Sequence, residues 1–213
     1  YFFAINDDKN FTLTSRIFQS ENPLFLGEYH QAFKDSYLFT DFGYTEGYKR
    51  TSSSKKAGDK SHFFGRFVKN FIGKNNSQNT LSFDFEDVSN DKYLKLYKID
   101  SNLVDYNTST LESSLSFTHE NDDLFLGVNT SIFETLKESY NDKYEYFLPE
   151  ITLDKNLVSN KYGNLNLQSN LRVHNYDTNK TSNFLSNDFN WVSKNLLSEN
   201  GITGQILGNI KNI

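Results

Sequence analysis

The chain has 213 residues, with 22 basic and 27 acidic side chains giving a formal net charge of −5, 36% hydrophobic residues and 16% aromatic residues. Twenty Phe and 13 Tyr exclude a disordered chain, which would be poor in aromatics, and no run of about 20 apolar residues exists to cross a bilayer as a helix. The absence of Cys excludes disulfides, thiolate metal sites and a cysteine nucleophile, and mild acidity spread along the chain gives no nucleic-acid footprint.

Taken in chain order, the recurring signal is a period of two, which puts alternate residues on opposite sides of a strand. The chain opens on Tyr1-Phe2-Phe3 without Met, as a processed chain or a fragment would. A first long strand is expected over Phe11 to Ser20, after the turn cluster Asn6 to Asn10 and before a second cluster, Ser20 to Pro23. Asn and Asp collect in such turns because they tolerate left-handed backbone and cap their own bends. The Ser/Lys/Gly-rich stretch Thr51 to Lys60 reads as a long flexible loop, and Ser61 to Phe71 as the strand after it. Leu81-Ser82-Phe83-Asp84-Phe85-Glu86 alternates cleanly. Asp91 to Lys98 is the one place where a turn or two of helix is expected.

Further strands follow over Ser113 to Glu120, Leu124 to Ile132, Leu165 to Asn175 and Ile202 to Ile210, with polar turns at Glu120 to Asp123 and Asp177 to Lys180. Between Leu165 and His174 one side carries Leu165, Leu167, Leu171 and Val173. The other carries Asn166, Gln168, Asn170, Arg172 and His174. The expected fold is therefore all-β, an antiparallel meander of about ten or eleven long strands.

Alternation alone fits a soluble sandwich as well as a membrane barrel. Three features favour the barrel. Several strands approach the 9–11 residues that a tilted spanning strand needs, longer than the soluble average of about 5–6. The polar side, with Asp84, Glu86, Asn166, Gln168, Asn170, Arg172 and His174, suits a wet lumen. Aromatics such as Tyr1, Phe2, Phe3, Tyr37, Tyr44, Tyr48, Tyr93, Tyr97, Tyr140, Tyr144, Tyr146 and Trp191 cluster near strand ends, as in the girdles of outer-membrane barrels. On that reading Leu81, Phe83, Phe85, Leu165, Leu167, Leu171 and Val173 face lipid.

Specific segments carry a family likeness. The opening Tyr1 to Arg16, the run Leu26-Gly27-Glu28-Tyr29, Ser89-Asn90-Asp91-Lys92-Tyr93-Leu94 followed by Tyr97, Leu111-Glu112-Ser113 and Leu148-Pro149-Glu150-Ile151 occur in this order. Gly163, Leu165, Ser169, Trp191 and Gly201 come after them. Together they resemble the barrel region of the lipopolysaccharide-assembly outer-membrane proteins, the LptD or organic-solvent-tolerance family. Ser15 stands where that family often has proline, and Asn90 where it usually has Asp.

The resemblance implies that residues 1–213 are the N-terminal strands of a larger barrel, of roughly 26 strands, with a periplasmic jellyroll before them and further strands after. It implies a non-enzymatic role in the Gram-negative outer membrane, inserting lipopolysaccharide into the outer leaflet through a polar lumen and a lateral seam. Implied partners are lipopolysaccharide, outer-membrane lipids, a plug lipoprotein and a periplasmic bridge protein of the same transport system. No cofactor and no nucleic acid are implied. Phe11, Leu13, Ser15 and Ile17 would lie on the seam strand.

No constellation of catalytic residues accompanies this reading. His30, His62, His119 and His174 are scattered without metal-ligand spacing, and His30, His62 and His174 read as lumen or interface residues. Glu120 to Asp123 lacks the EF-hand pattern and reads as a hairpin turn. Asp84 and Glu86, on one strand face, could pair as catalytic carboxylates but have no nucleophile beside them. Two other readings stay open, a generic outer-membrane porin or receptor barrel and a soluble carbohydrate-binding β module.

Overall fold

In the computed structural model, which describes residues 1–53, 55, 58–137, 142–177 and 179–213, two-residue alternation becomes strand almost throughout. Twelve strands form one antiparallel meander: β1 (Phe2–Asn6), β2 (Lys9–Arg16), β3 (Leu24–Ala32), β4 (Ser36–Thr45), β5 (Lys60–Ile72), β6 (Gln78–Val88), β7 (Thr110–Glu120), β8 (Leu124–Thr135), β9 (Tyr144–Ser159), β10 (Gly163–Tyr176), β11 (Lys180–Ser193) and β14 (Leu207–Asn212). Each strand neighbours the next in sequence until β11, which pairs with β14. The short strands β12 (Leu196–Leu197) and β13 (Thr203–Gly204) form a separate two-stranded ribbon. The longest, β9, has 16 residues, well beyond the typical soluble length. The expected helical turn is α1, Tyr93–Tyr97.

Three expectations need correction. The strand expected over Phe11 to Ser20 is β2, Lys9–Arg16, so Ile17 lies past its end. β2 pairs with β3 along its length and with β1 over Lys9 to Thr12, and the Leu13 N–H donates to the Tyr1 carbonyl at 2.8 Å. Phe11 and Leu13 thus have a neighbour on both sides, while Ser15 pairs with Phe25 alone. The edge is β1, because Phe2 to Ala4 pair with Asn10 to Thr12 and add a strand before it. The run Ile202 to Ile210 is also not one strand. It breaks at 205–206, because β13 pairs with β12 while β14 pairs with β11; the turn before β13 carries Gly201 (φ 77°) in a left-handed conformation that suits glycine. Tyr140, Ser54, Lys56, Ala57 and Thr178, which fall within the aromatic, loop and turn expectations, lie outside the described residues.

The chain divides into two compact units, residues 1–69, 82–115 and 132–145 in the first and residues 70–81, 116–131 and 146–213 in the second. In the first, cross-strand partners define the two faces, since paired residues point the same way. One face carries Phe3, Phe11, Leu13, Phe25, Phe42, Tyr44 and Phe63. Phe3 stacks on Phe11 and Phe11 on Phe42, with ring centres 6.0 and 6.2 Å apart. The Phe42 ring lies where a Cβ on Gly27 would be, 2.4 Å away, so a bare glycine lets the aromatic lie flat across the strand. Despite this packing, Phe42 and Phe63 remain 41% and 44% exposed.

The other face of the first unit holds Glu28, His30, Phe39, Asp41, His62, Phe64 and Arg66. Across it folds the connection between β6 and β7, which contains α1. Tyr93, Leu94, Tyr97, Ile99 and Val104 pack there with Leu24, Phe64, Val88, Leu111 and Leu136 into the buried core. Within this unit the connections at one end of the strands are tight, at 7–8 and 33–35. At the other end they run long, at 17–23, 46–59, 89–109 and 136–143. The 89–109 segment is thus a strap that starts at the long-loop end and lies over the polar face.

Candidate functional site

The features that could bear function are the two chemically opposite sheet faces and the strap. In the second unit the register of β10 sorts its residues as the alternation implies. Leu165, Leu167 and Leu171 pair with Trp191, Phe189 and Leu185 on β11, and Leu171 pairs with Ile151 on β9. Val173 lies on the same side, opposite Asn183. Phe189 in turn meets Ile210 of β14.

The opposite side is a continuous polar surface. Asp154 accepts from the Asn166 amide at 2.5 Å and the Gln168 amide at 3.0 Å. Arg172 donates to Glu150 through Nε at 2.8 Å and also through Nη2, and its guanidinium lies 5.6 Å from the centre of the Phe147 ring. Asn170 stands between Thr152 and Ser186. His174 stacks on Phe147 and Tyr176 at 4.2 and 4.8 Å. Farther along, Asn209 donates to Asn190 at 2.5 Å and Lys211 lies 3.5 Å from Asp188. Charges of opposite sign are matched strand to strand, which keeps a polar face dense in ionisable groups without net repulsion.

In the first unit Phe83 and Phe85 share the Phe63 face. Phe85 lies 6.0 Å from Phe63 and 6.5 Å from Phe83; Leu81 is on that side of β6 by the same period. Asp84 and Glu86 are on the reverse. Asp84 accepts from Arg66 Nε and, through its other oxygen, from Ser82 at 3.1 Å. Glu86 accepts the Glu112 backbone N–H at 2.9 Å. Both carboxylates are thus engaged in holding neighbouring strands rather than poised as an acid and a base across a gap. The turn after Glu120 is an Asx turn in which Asn121 Oδ1 accepts from the N–H groups of Asp123 and Leu124, at 3.0 and 2.9 Å.

The structure brings together residues that the alternation pattern could not single out. His62 is buried, with Nε2 2.9 Å from Asp41 Oδ1 and Nδ1 3.2 Å from the Tyr93 hydroxyl. A Nε2–H tautomer donates to the carboxylate and accepts the phenol proton, so every member has a partner. This bridge ties the strap to β4 and β5. Gly43 makes room for it. A Cβ there would stand 2.6 Å from the His62 ring and 2.8 Å from the Tyr93 oxygen. Arg16 secures the far end of α1 by donating to the carbonyls of Tyr97 at 2.8 Å and Lys98 at 3.3 Å, a cationic cap at a helix C-terminus. Lys143 donates to Asp91 at 2.6 Å at the other end, and that bond raises the Lys143 ammonium above its ordinary range.

Burial pushes the Tyr93 and Tyr97 phenols well above the usual tyrosine range. The folded protein therefore favours their neutral form, and its native affinity for the proton exceeds that of the unfolded chain. The resulting stability is fully present below the unfolded tyrosine value of about 10 and is lost as pH rises through the raised native values. Denaturant titrations at stepped alkaline pH should show this decline. In the Tyr93→Phe/Tyr97→Phe double variant it should flatten.

Of the four histidines, His30, His62 and His174 all lie on polar faces, while His119 donates from Nδ1 to Asn79 Oδ1 at 2.7 Å. The chain matches no protein-family model, and no curated protein is recognisably similar to it.

Proposed function

We propose that this chain is part of an outer-membrane β-barrel whose apolar face meets lipid and whose polar face lines a wet lumen, and that the barrel is a translocon inserting lipopolysaccharide into the outer leaflet. One observation carries the barrel reading. In the first unit the phenylalanine-rich face is the open one, while the face bearing Asp41, His62, Arg66, Asp84 and Glu86 is the one the strap covers. A sheet built for water would be inverted, since leaving many large apolar rings in water forfeits roughly 1.5–3 kcal/mol for each side chain.

Strand length supports the same reading. Strands of 10–16 residues such as β4, β5 and β8 to β11 reach across a hydrocarbon core of about 30 Å when tilted. The ordered likeness of Tyr1–Arg16, Ser89–Leu94 and Leu148–Ile151 to the lipopolysaccharide-assembly family gives the cargo. Tight connections at one end of the first unit and long ones at the other match the short periplasmic turns and longer outer loops of such barrels.

Two measurements on the full-length protein test this. It should fold into phospholipid vesicles and resist dissociation by detergent when unheated, and its depletion from the parent cell should leave lipopolysaccharide missing from the surface. Failure to enter vesicles overturns the barrel. Vesicle insertion with undiminished surface lipopolysaccharide after depletion overturns the translocon and leaves a porin or receptor.

A further inference from the structure

We propose that the cavity between the β3–β4 hairpin and the tip of the strap is a subsite for a neutral sugar ring. The cavity has a volume of 390 Å³, within the range of small-molecule sites, about 300–1,000 Å³. It lies wholly in the first unit, on the polar face. The inference rests on the translocon reading for the source of the sugar, but its chemistry comes from the cavity.

The floor is aromatic. His30 packs on Phe39 with ring centres 4.3 Å apart, and Tyr37 stands beside them, still 43% exposed. Ring faces of this kind, which carry partial negative charge, attract the polarised C–H bonds on the flat side of a pyranose. Leu103 of the strap adds an apolar wall.

Around that floor the polar groups are left free by the protein itself. Arg66 uses Nε to reach Asp84, and its terminal amino groups make no hydrogen bond among the described residues. The same holds for the Asn102 side-chain amide and the His30 ring nitrogens. A planar guanidinium, a planar amide and an imidazole present paired donors and acceptors, which suit vicinal hydroxyls. A purely hydrocarbon occupant would strand these groups at a cost in desolvation.

The charge balance selects against an anion. Among the described residues Arg66 is the only formally charged one in the lining, and Asp84 already neutralises it. A phosphate or carboxylate would meet no surplus positive charge. The ligand class that satisfies an aromatic floor, unspent neutral donors and acceptors and no net charge is an unphosphorylated saccharide.

The test uses the full-length protein folded in lipid nanodiscs and ligand-observed NMR with maltotriose, with glucose 1-phosphate as the anionic comparison. Maltotriose should bind, and Tyr37→Ala and Asn102→Leu should each weaken it about tenfold, the effect of losing one good contact. Tyr162→Ala, at an exposed turn tyrosine of the second unit, should change nothing. Asn102 is on an exposed connection outside the strands, so Asn102→Leu keeps the test informative if Tyr37→Ala fails to fold. Absence of maltotriose binding, binding insensitive to both variants, or preference for glucose 1-phosphate overturns the subsite. Vesicle insertion without saccharide binding removes the subsite alone, whereas saccharide binding by a protein whose depletion leaves surface lipopolysaccharide undiminished removes the translocon and leaves the subsite.

Discussion

Leu171→Arg is expected to destabilise the full-length protein in phospholipid vesicles by about 2–4 kcal/mol, the cost of a cation on the lipid face near the bilayer midplane. That corresponds to roughly 30- to 1,000-fold in the folding equilibrium. Leu171 is near the centre of β10, flanked by Ile151 and Leu185. Its neighbour Asn170 points the other way, between Thr152 and Ser186, so Asn170→Arg places the same charge one residue along but on the polar face. Its effect should stay within about 0.5 kcal/mol, as for a surface change that disturbs no buried partner. Denaturant titration of both variants in vesicles measures the difference. Equal effects would mean that the two faces meet the same solvent, and the barrel reading would fail with them.

The second large effect is expected at Tyr93. Its side chain is fully buried at the centre of the strap's contact with the sheet. Tyr93→Ala should cost about 3–5 kcal/mol, the range for removing a buried aromatic ring. Tyr93→Phe keeps the ring but leaves His62 Nδ1 without its hydroxyl, which should cost about 1–3 kcal/mol as a buried acceptor goes unsatisfied. Because the strap lies outside the strand ladder, the loss should appear as local opening. The amide of Ile99, bonded to the Leu94 carbonyl at 3.0 Å, should exchange much faster. The amides of the β4–β5 ladder should keep their protection. Uniform loss of protection across strap and sheet would show that the strap is not a separable element.

The polar bridge beneath Tyr93 explains why the strap is anchored in one place. Apolar packing of Leu94, Ile99 and Val104 would tolerate small slides along the sheet, since burial is not directional. The Asp41–His62–Tyr93 chain is directional, and each of its members is left unsatisfied if the strap shifts. Position is thereby specified at the mouth of the cavity that Asn102 and Leu103 border.

How much of this was legible beforehand follows from the range of the forces involved. Alternation in Leu165 to His174 and in Leu81 to Glu86 depends only on the two-residue repeat of a strand, so the meander and the sorting of those residues onto two faces could be read directly. The turn at Glu120 to Asp123 and the helical turn near Tyr93 were legible for the same reason, being settled by neighbours within a few positions.

Pairing across the chain was not. Whether Phe11 to Arg16 forms an edge depends on whether Phe2 to Asn6 folds back beside it, and that is decided by the competing strand, not by the strand itself. The break between Gly204 and Leu207 replaced an alternating run because β11 accepts only Leu207 to Asn212 as its partner. Asp41, His62 and Tyr93 lie on three segments 21 and 31 residues apart, with no spacing rule to link them. The sequence by itself determined the strand period, the polarity of each face and the turns, because those are local. Only the tertiary structure decided which strand stands at the edge, which face the strap covers and where a cavity remains, because these depend on contacts between segments distant in the chain.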